Sequence, residues 1–293
     1  MSAPLSTGLE SGFTRTDPWD LLLRISALLV VLQGVSSSVA STLLLIPGVL
    51  ITLSSKHVRS GAAWWSLVAL MAMGNLWRWF DVPNHDWLIL AWILACAIGV
   101  SREETDRVLR GNARTMLAIV FIASAAQKLL FGAWHDGLFL ELYAAKHPWT
   151  AGLFGVSEAG FQQLQAAKAL IQTGLIDQAA FVLPGTEGSR TGLILVSWIV
   201  VVGEFVIGSL FLLKPSQRVI QWRTSGLLTF IWFAYPFAPI KGFAWILLIL
   251  ALATIPIERS ALRRLCWVSF AWVLLCPYIH DVHDLIRRIS GMF

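Results

Sequence analysis

Ala118-Ile119-Val120-Phe121-Ile122-Ala123-Ser124-Ala125-Ala126-Gln127-Lys128-Leu129-Leu130-Phe131 decides how this chain is read. Almost every residue is apolar or small, as in a membrane span, yet a lysine stands near the end. A cation at the bilayer centre costs from about 3 kcal/mol upward, and less near an interface. A lysine so placed faces a bundle interior or a cavity, or it snorkels to the headgroups. If desolvated, its pKa falls and it can act as a base near neutral pH. Lys128 is therefore the first candidate functional residue.

The composition agrees with a membrane setting. Of 293 residues, 57% are hydrophobic and 13% charged, where soluble domains carry about 25% charged residues. The mean hydropathy is +0.70. The 15 Trp and 16 Phe suit a protein in contact with lipid. Trp64, Trp65, Trp79, Trp87, Trp134 and Trp222 fall near the ends of apolar runs, where interfacial anchors belong. The net charge of +5 comes from short connections and is no nucleic-acid signal. Residues 1–18 are polar and lack the features of a signal peptide. Cys96, Cys266 and Cys276 sit in apolar segments and read as buried small hydrophobes. A Cys266–Cys276 disulfide is excluded by about 15 Å of helix.

Apolar runs lie at 20–34, 38–54, 62–80, 87–100, 115–131, 191–213, 224–240, 242–257 and 262–279. The expected fold is all-α: a polytopic integral membrane bundle of about eight or nine transmembrane helices. Lys56 and Arg59, then Arg102, Arg107, Arg110 and Arg114, then Lys214, Arg218 and Arg223, then Arg259, Arg263 and Arg264 occupy alternate connections. The connection at 81–86 holds Asp81 and Asp86 and no Lys or Arg. The positive-inside rule makes the basic set cytoplasmic, with the N-terminus inside. The organisation is then a polar N-terminus at 1–18, a membrane domain at 19–280 and a short tail at 281–293. The connection 132–190 falls outside, with an amphipathic segment at 158–171.

This topology gathers polar groups toward the outer side: His85, Lys128, His135, Asp136, His147, His280, Asp281, His283 and Asp284. His280 and His283 share a helical face at i,i+3 and are weak metal candidates, since no third ligand is defined. The bland reading of each is an interfacial polar side chain. Glu204, inside Val200–Ile207, is an intramembrane acid and so a functional-site hypothesis. Its structural alternative is a packing residue paired with Arg78 or another cation.

Pro83-Asn84-His85-Asp86-Trp87-Leu88 resembles the Asn-His-Ser-Tyr-Leu segment of vitamin K-dependent gamma-glutamyl carboxylases. Phe121–Leu129 followed by Trp134-His135-Asp136-Gly137 resembles their Tyr-x-x-Ala-Gly-x-x-Lys-Leu and Trp-x-x-Gly segments. Gly203-Glu204 and Lys214-Pro215 share the family's look more loosely. The chain is thus similar, over about 15–280, to the HTTM family, the membrane domain shared by these carboxylases and many bacterial proteins. The resemblance implies a bacterial inner-membrane protein with Lys128 as a base toward a quinol and His85 as its partner. It also suggests Asn84, Trp134, Gly137 and Glu204 as substrate-binding residues. Ser124-Ala125 stands where the family has Ala-Gly, and one extra residue separates Lys128 from Trp134. No counterpart of the large lumenal carboxylase domain is found, so glutamate carboxylation itself is not expected.

Two functions remain open at this level. One is a membrane enzyme acting on a quinone-like or other lipid-soluble ligand, or on a peptide at the outer face. The other is a non-catalytic subunit of a larger redox or pigment-binding membrane complex. A transporter is disfavoured, because there is no inverted repeat and no pair of broken helices. The partners implied are the lipid bilayer and other membrane subunits or a peptide, and no nucleic acid.

Overall fold

The computed structural model describes residues 17–34, 39–77, 79, 84–130, 134–135, 137, 139–140, 162–163, 166, 190–235 and 242–290. Within these, the side chains of 33–34, 39–42, 44, 190 and 276–290 are excepted. The described residues contain helices and no strand. The helices are α1 (Pro18–Gly34), α2 (Val39–Leu53), α3 (Ser55–Val58), α4 (Gly61–Trp77), α5 (Asn84–Ser101) and α6 (Thr105–Leu130). They continue with α7 (Arg190–Leu212), α8 (Gln217–Ala234), α9 (Phe243–Thr254) and α10 (Ser260–Ser290).

Three helices are long and apolar enough to cross a membrane by length and composition: Asn84–Ser101, Thr105–Leu130 and Thr191–Leu212. At 1.5 Å per residue, a 17-residue helix such as α1 or α4 is about 25 Å long, short of a hydrocarbon core of about 30 Å. The expected run at 115–131 becomes a much longer helix. α6 starts in the arginine-rich stretch because Thr105–Thr115 is free of Pro and Arg107, Leu109, Arg110, Ala113 and Arg114 are good helix formers. Asp106 in its first turn and Lys128 in its last both complement the helix dipole. The expected tail at 281–293 is helical to Ser290 as part of α10. A short extra helix, α3, turns the chain between α2 and α4.

α9 is the hub. It is apolar all round, so it can be buried all round. Ala244 and every residue from Ile246 to Thr254 are buried, and α9 packs on α1, α5, α6, α8 and α10. α6 presents a stripe of Leu109, Ala113, Leu117, Ala118, Phe121 and Ala125, at the three- and four-residue spacing of one helical face. Its small members let α7 approach, and α6–α7 is the most extensive helix pairing in the fold. Small residues at helix contacts are what a lipid setting favours, since apolar side chains gain little from leaving lipid.

Buried indoles are held by hydrogen bonds. Trp92 Nε1 donates to Ser26 Oγ at 2.9 Å, and Trp64 Nε1 donates to the Val58 carbonyl at 3.0 Å. Trp64 is therefore a core residue rather than the interfacial anchor its position suggests. Trp65, Trp79 and Trp222 are exposed on the helical surface. Cys96 and Cys266 are buried free thiols, while the Cys276 side chain lies outside the described residues.

The basic connections meet at one end of the molecule. Arg59 pairs with Asp17 and Asp20. Arg110 lies 5.8 Å from the Trp19 ring, and Trp65 Nε1 donates to Ser101 Oγ. Arg223 donates to the Thr254 carbonyl. These contacts bring the start of α1, α3, the α5–α6 connection, the start of α8 and the end of α9 together.

Candidate functional site between α6 and α7

Lys128 and Glu204 are in direct contact. The Lys128 Nζ donates to Glu204 Oε1 at 2.8 Å, to Oε2 at 2.7 Å and to Ser124 Oγ at 2.6 Å. Those three bonds use all three ammonium hydrogens. The Trp134 ring centroid lies 4.8 Å from the same nitrogen, within cation–π range. The lysine side chain is 14% exposed and the glutamate side chain 4%. The partner of Glu204 is Lys128; Arg78 lies outside the described residues.

The two helices run antiparallel, and successive contacts set the register. Gly208 faces Ala118 and Ile122, Glu204 faces Ser124 and Lys128, Trp198 stacks on His135, and Leu193 and Ile194 face Gly137. A Cβ on Gly208 would stand 3.0 Å from the Ile122 nitrogen and 3.1 Å from the Ala118 oxygen. Glycine is therefore required for the close approach that lets Lys128 reach Glu204. This register sets Glu204 level with Lys128 in the last turn of α6. Glu204 lies about 20 Å along α7 from Thr191 and about 12 Å from Leu212, at 1.5 Å per residue. The chain after α6 continues beside the first turns of α7, with Gly137 at φ +80° against the Ile194 nitrogen.

The energetics favour a role in specificity. At 2.7 Å and an effective dielectric near 20, the Coulomb attraction is roughly 6 kcal/mol. Burial costs several kcal/mol for each ion. The two nearly cancel, so the pair adds little net stability. It does penalise any register that separates the charges.

The remaining candidates are distributed differently. His85 is the second residue of α5, and its Nε2 stands 3.6 Å from Asp86 Oδ1; the bonds of Lys128 run to Ser124 and Glu204. In the α5–α6 hairpin, His85 lies about 24 Å from the connection along α5 and Lys128 about 35 Å along α6. The two share an end of the hairpin, and the ion-pair partner that Lys128 has there is Glu204. Asn84 is exposed at the first residue of α5. Trp134 covers the ammonium and stacks on Phe139 at 4.2 Å. Gly137 serves backbone packing. His135 stacks on Trp198 at 5.4 Å.

His280 and His283 are on α10, with side chains outside the described residues, and no metal-holding group of His, Cys, Asp or Glu occurs among the described residues. Asp136 and His147 lie outside the described residues, as does 158–171 apart from Gln162, Gln163 and Ala166, which are helical and exposed.

Ser124 and Trp198 complete the site without having been singled out from sequence. Ser124 has a usable signal, since it stands one turn before Lys128 on the same face. Trp198 has none.

No protein-family model matches the chain, and no curated protein or solved structure does either. The fold and site define an all-helical protein, in its described residues, with three helices able to cross a membrane and a buried Lys–Glu pair joining two of them.

Proposed function

We propose that this chain is a polytopic membrane protein of the HTTM type, with about eight or nine crossings and its basic end in the cytoplasm of a bacterium. In this reading the Lys128–Glu204 pair handles a proton beside a lipid-soluble, quinone-like substrate. The observation that carries it is the pair itself. A salt bridge inside an apolar bundle adds little net stability, and intramembrane ionisable pairs mark proton and substrate pathways. The gathering of the Lys/Arg-rich connections at one end supports the orientation. The pair takes up the proton as a unit: Lys128 passes a proton to Glu204 as its nitrogen accepts one from the quinol hydroxyl, leaving an ammonium, a neutral acid and a quinolate. Trp134 would supply a flat surface against the substrate ring. His85, at the same end of the hairpin, would act on the substrate's far side or not at all.

A second reading rests on a specific observation: all three Lys128 hydrogens are already bonded. The pair would then be a register device in a non-catalytic membrane subunit. Reconstituted full-length protein separates the two. Oxidation of menadiol, a small naphthoquinol, by dissolved dioxygen is followed in nanodiscs above its spontaneous rate, since deprotonation speeds electron loss. The double variant Lys128→Met with Glu204→Leu removes both charges and keeps the bulk. Protein-dependent oxidation that vanishes in a stably folded double variant supports the proton-handling role. Oxidation retained in the double variant, or absent from the native protein, overturns it in favour of the subunit reading.

A further inference from the structure

Four arginines cluster at the basic end, and their charges are not balanced. Phe121 on α6 and Phe230 on α8 meet edge to face, centroids 5.2 Å apart. Both helices leave the basic end, so they run parallel. Arg114 and Arg223 each lie about two turns before the paired phenylalanines. They are therefore level with each other, on the faces that α6 and α8 turn together. Arg110 lies one turn below Arg114. Arg110 and Arg114 are both within electrostatic range of Arg223, and Arg110 is within range of Arg263.

Arg223 is 2% exposed. Its Nη2 donates to the Thr254 carbonyl at 3.2 Å, and its guanidinium lies 5.3 Å from the Phe211 ring centroid. Its Nε and Nη1 are buried without a hydrogen-bond partner. Arg263 donates to the Leu252 and Ile255 carbonyls. The bland account is that Arg223 and Arg263 cap the C-terminus of α9. A helix C-terminus supplies only about half a negative charge. Arg110 is neutralised by Asp106 at 2.6 Å. Among the described residues no carboxylate pairs with Arg114, Arg223 or Arg263. Two guanidiniums thus share half a charge with Arg114 nearby, and two buried N–H donors of Arg223 have no acceptor. α6 packs mainly on α7, α5 and α9, and α8 mainly on α7 and α10, so the two helices share few direct contacts.

We propose that Arg114 and Arg223, with Arg110 and Arg263 around them, bind a phosphate group between α6 and α8. A phosphate supplies the missing acceptors and the missing charge together, and arginine forks suit its geometry. An anionic lipid headgroup and free phosphate share this chemistry. Basic pockets between membrane helices hold such headgroups.

The test uses full-length protein in nanodiscs of phosphatidylcholine alone or with phosphatidylglycerol, and unfolding is followed by tryptophan fluorescence. Phosphatidylglycerol should raise the Tm by several degrees, since a ligand that binds only the folded state stabilises it. Arg223→Gln also strips the α9 cap, so Arg114→Gln is the decisive variant. It should keep its Tm in phosphatidylcholine and lose at least half of the rise. Arg107→Gln, at an exposed arginine paired with Glu104, should keep the rise. If inorganic phosphate added to phosphatidylcholine nanodiscs reproduces the rise, and Arg114→Gln lowers that too, the site takes free phosphate. A rise that Arg114→Gln retains in full, a loss matched by Arg107→Gln, or no rise with either phosphate source overturns the proposal.

Discussion

Lys128 on α6 and Glu204 on α7 form a buried ion pair, Nζ to Oε2 at 2.7 Å, across 76 residues of sequence. The contact depends on Gly208, one turn further along α7, which lets the two backbones close at Ala118 and Ile122.

Removing one partner of this pair should cost far more than removing both. Lys128→Met leaves the Glu204 carboxylate buried without its cation, a loss of about 3–5 kcal/mol. The double variant with Glu204→Leu should recover most of that. Thermal unfolding in detergent, followed by tryptophan fluorescence, checks the order. A double variant no more stable than Lys128→Met would show that the side chains do not act as a pair.

Gly208→Ala should separate α6 from α7. The added methyl meets backbone atoms at 3.0 and 3.1 Å, which cannot move as a flexible side chain would. Overpacking of this kind costs about 1–3 kcal/mol. Gly203→Ala on the same helix, where a Cβ meets nothing within 4 Å, is the control. Equal Tm values for the two variants would refute the close-approach argument.

Gly137→Ala should be destabilising for another reason. Its φ of +80° costs an L-residue roughly 1–2 kcal/mol, and its Cβ would press on the Ile194 nitrogen at 3.2 Å. Accelerated proteolysis in the connection after α6, compared with native protein, is the readout. An unchanged digestion rate would mean that this turn is not held as described.

Trp92→Phe removes the bond from Nε1 to Ser26 Oγ while filling most of the same space. Ser26 keeps its own bond to the Leu22 carbonyl at 2.8 Å, so no donor is stranded. The loss should be about 1 kcal/mol, clearly smaller than that of Lys128→Met. A Trp92→Phe loss as large as that of Lys128→Met would contradict this ranking.

Orientation is open to a direct test. In a background without Cys96, Cys266 and Cys276, a cysteine at Ser216, in the exposed α7–α8 connection, should resist an impermeant thiol reagent added outside intact cells. A cysteine at Gly185, in the connection 132–190, should react. The reverse pattern would invert the topology.

The helices themselves are legible in the sequence because each needs only its own residues. Nine apolar runs correspond to nine of the described helices, with shifted ends. The largest shifts are at α6, α8 and α10, where polar residues continue a helix beyond its apolar stretch and hydropathy cannot see them. Trp64 and Trp65 are neighbours at the start of α4, yet one is core and one is surface. Their order in the chain is uninformative, because only the direction of packing separates them.

Lys128 and Glu204 are each legible as charges that an apolar helix would not carry without cause. Composition determines that this is a helical chain suited to lipid, and the spacing of Lys and Arg places its basic connections. Which cation meets which acid is decided only by tertiary structure. It depends on the antiparallel register of α6 and α7, which the small side chains at Ala118 and Gly208 permit. A contact between residues far apart in the chain follows from the positions of two rigid helices, and no local property of either helix encodes that.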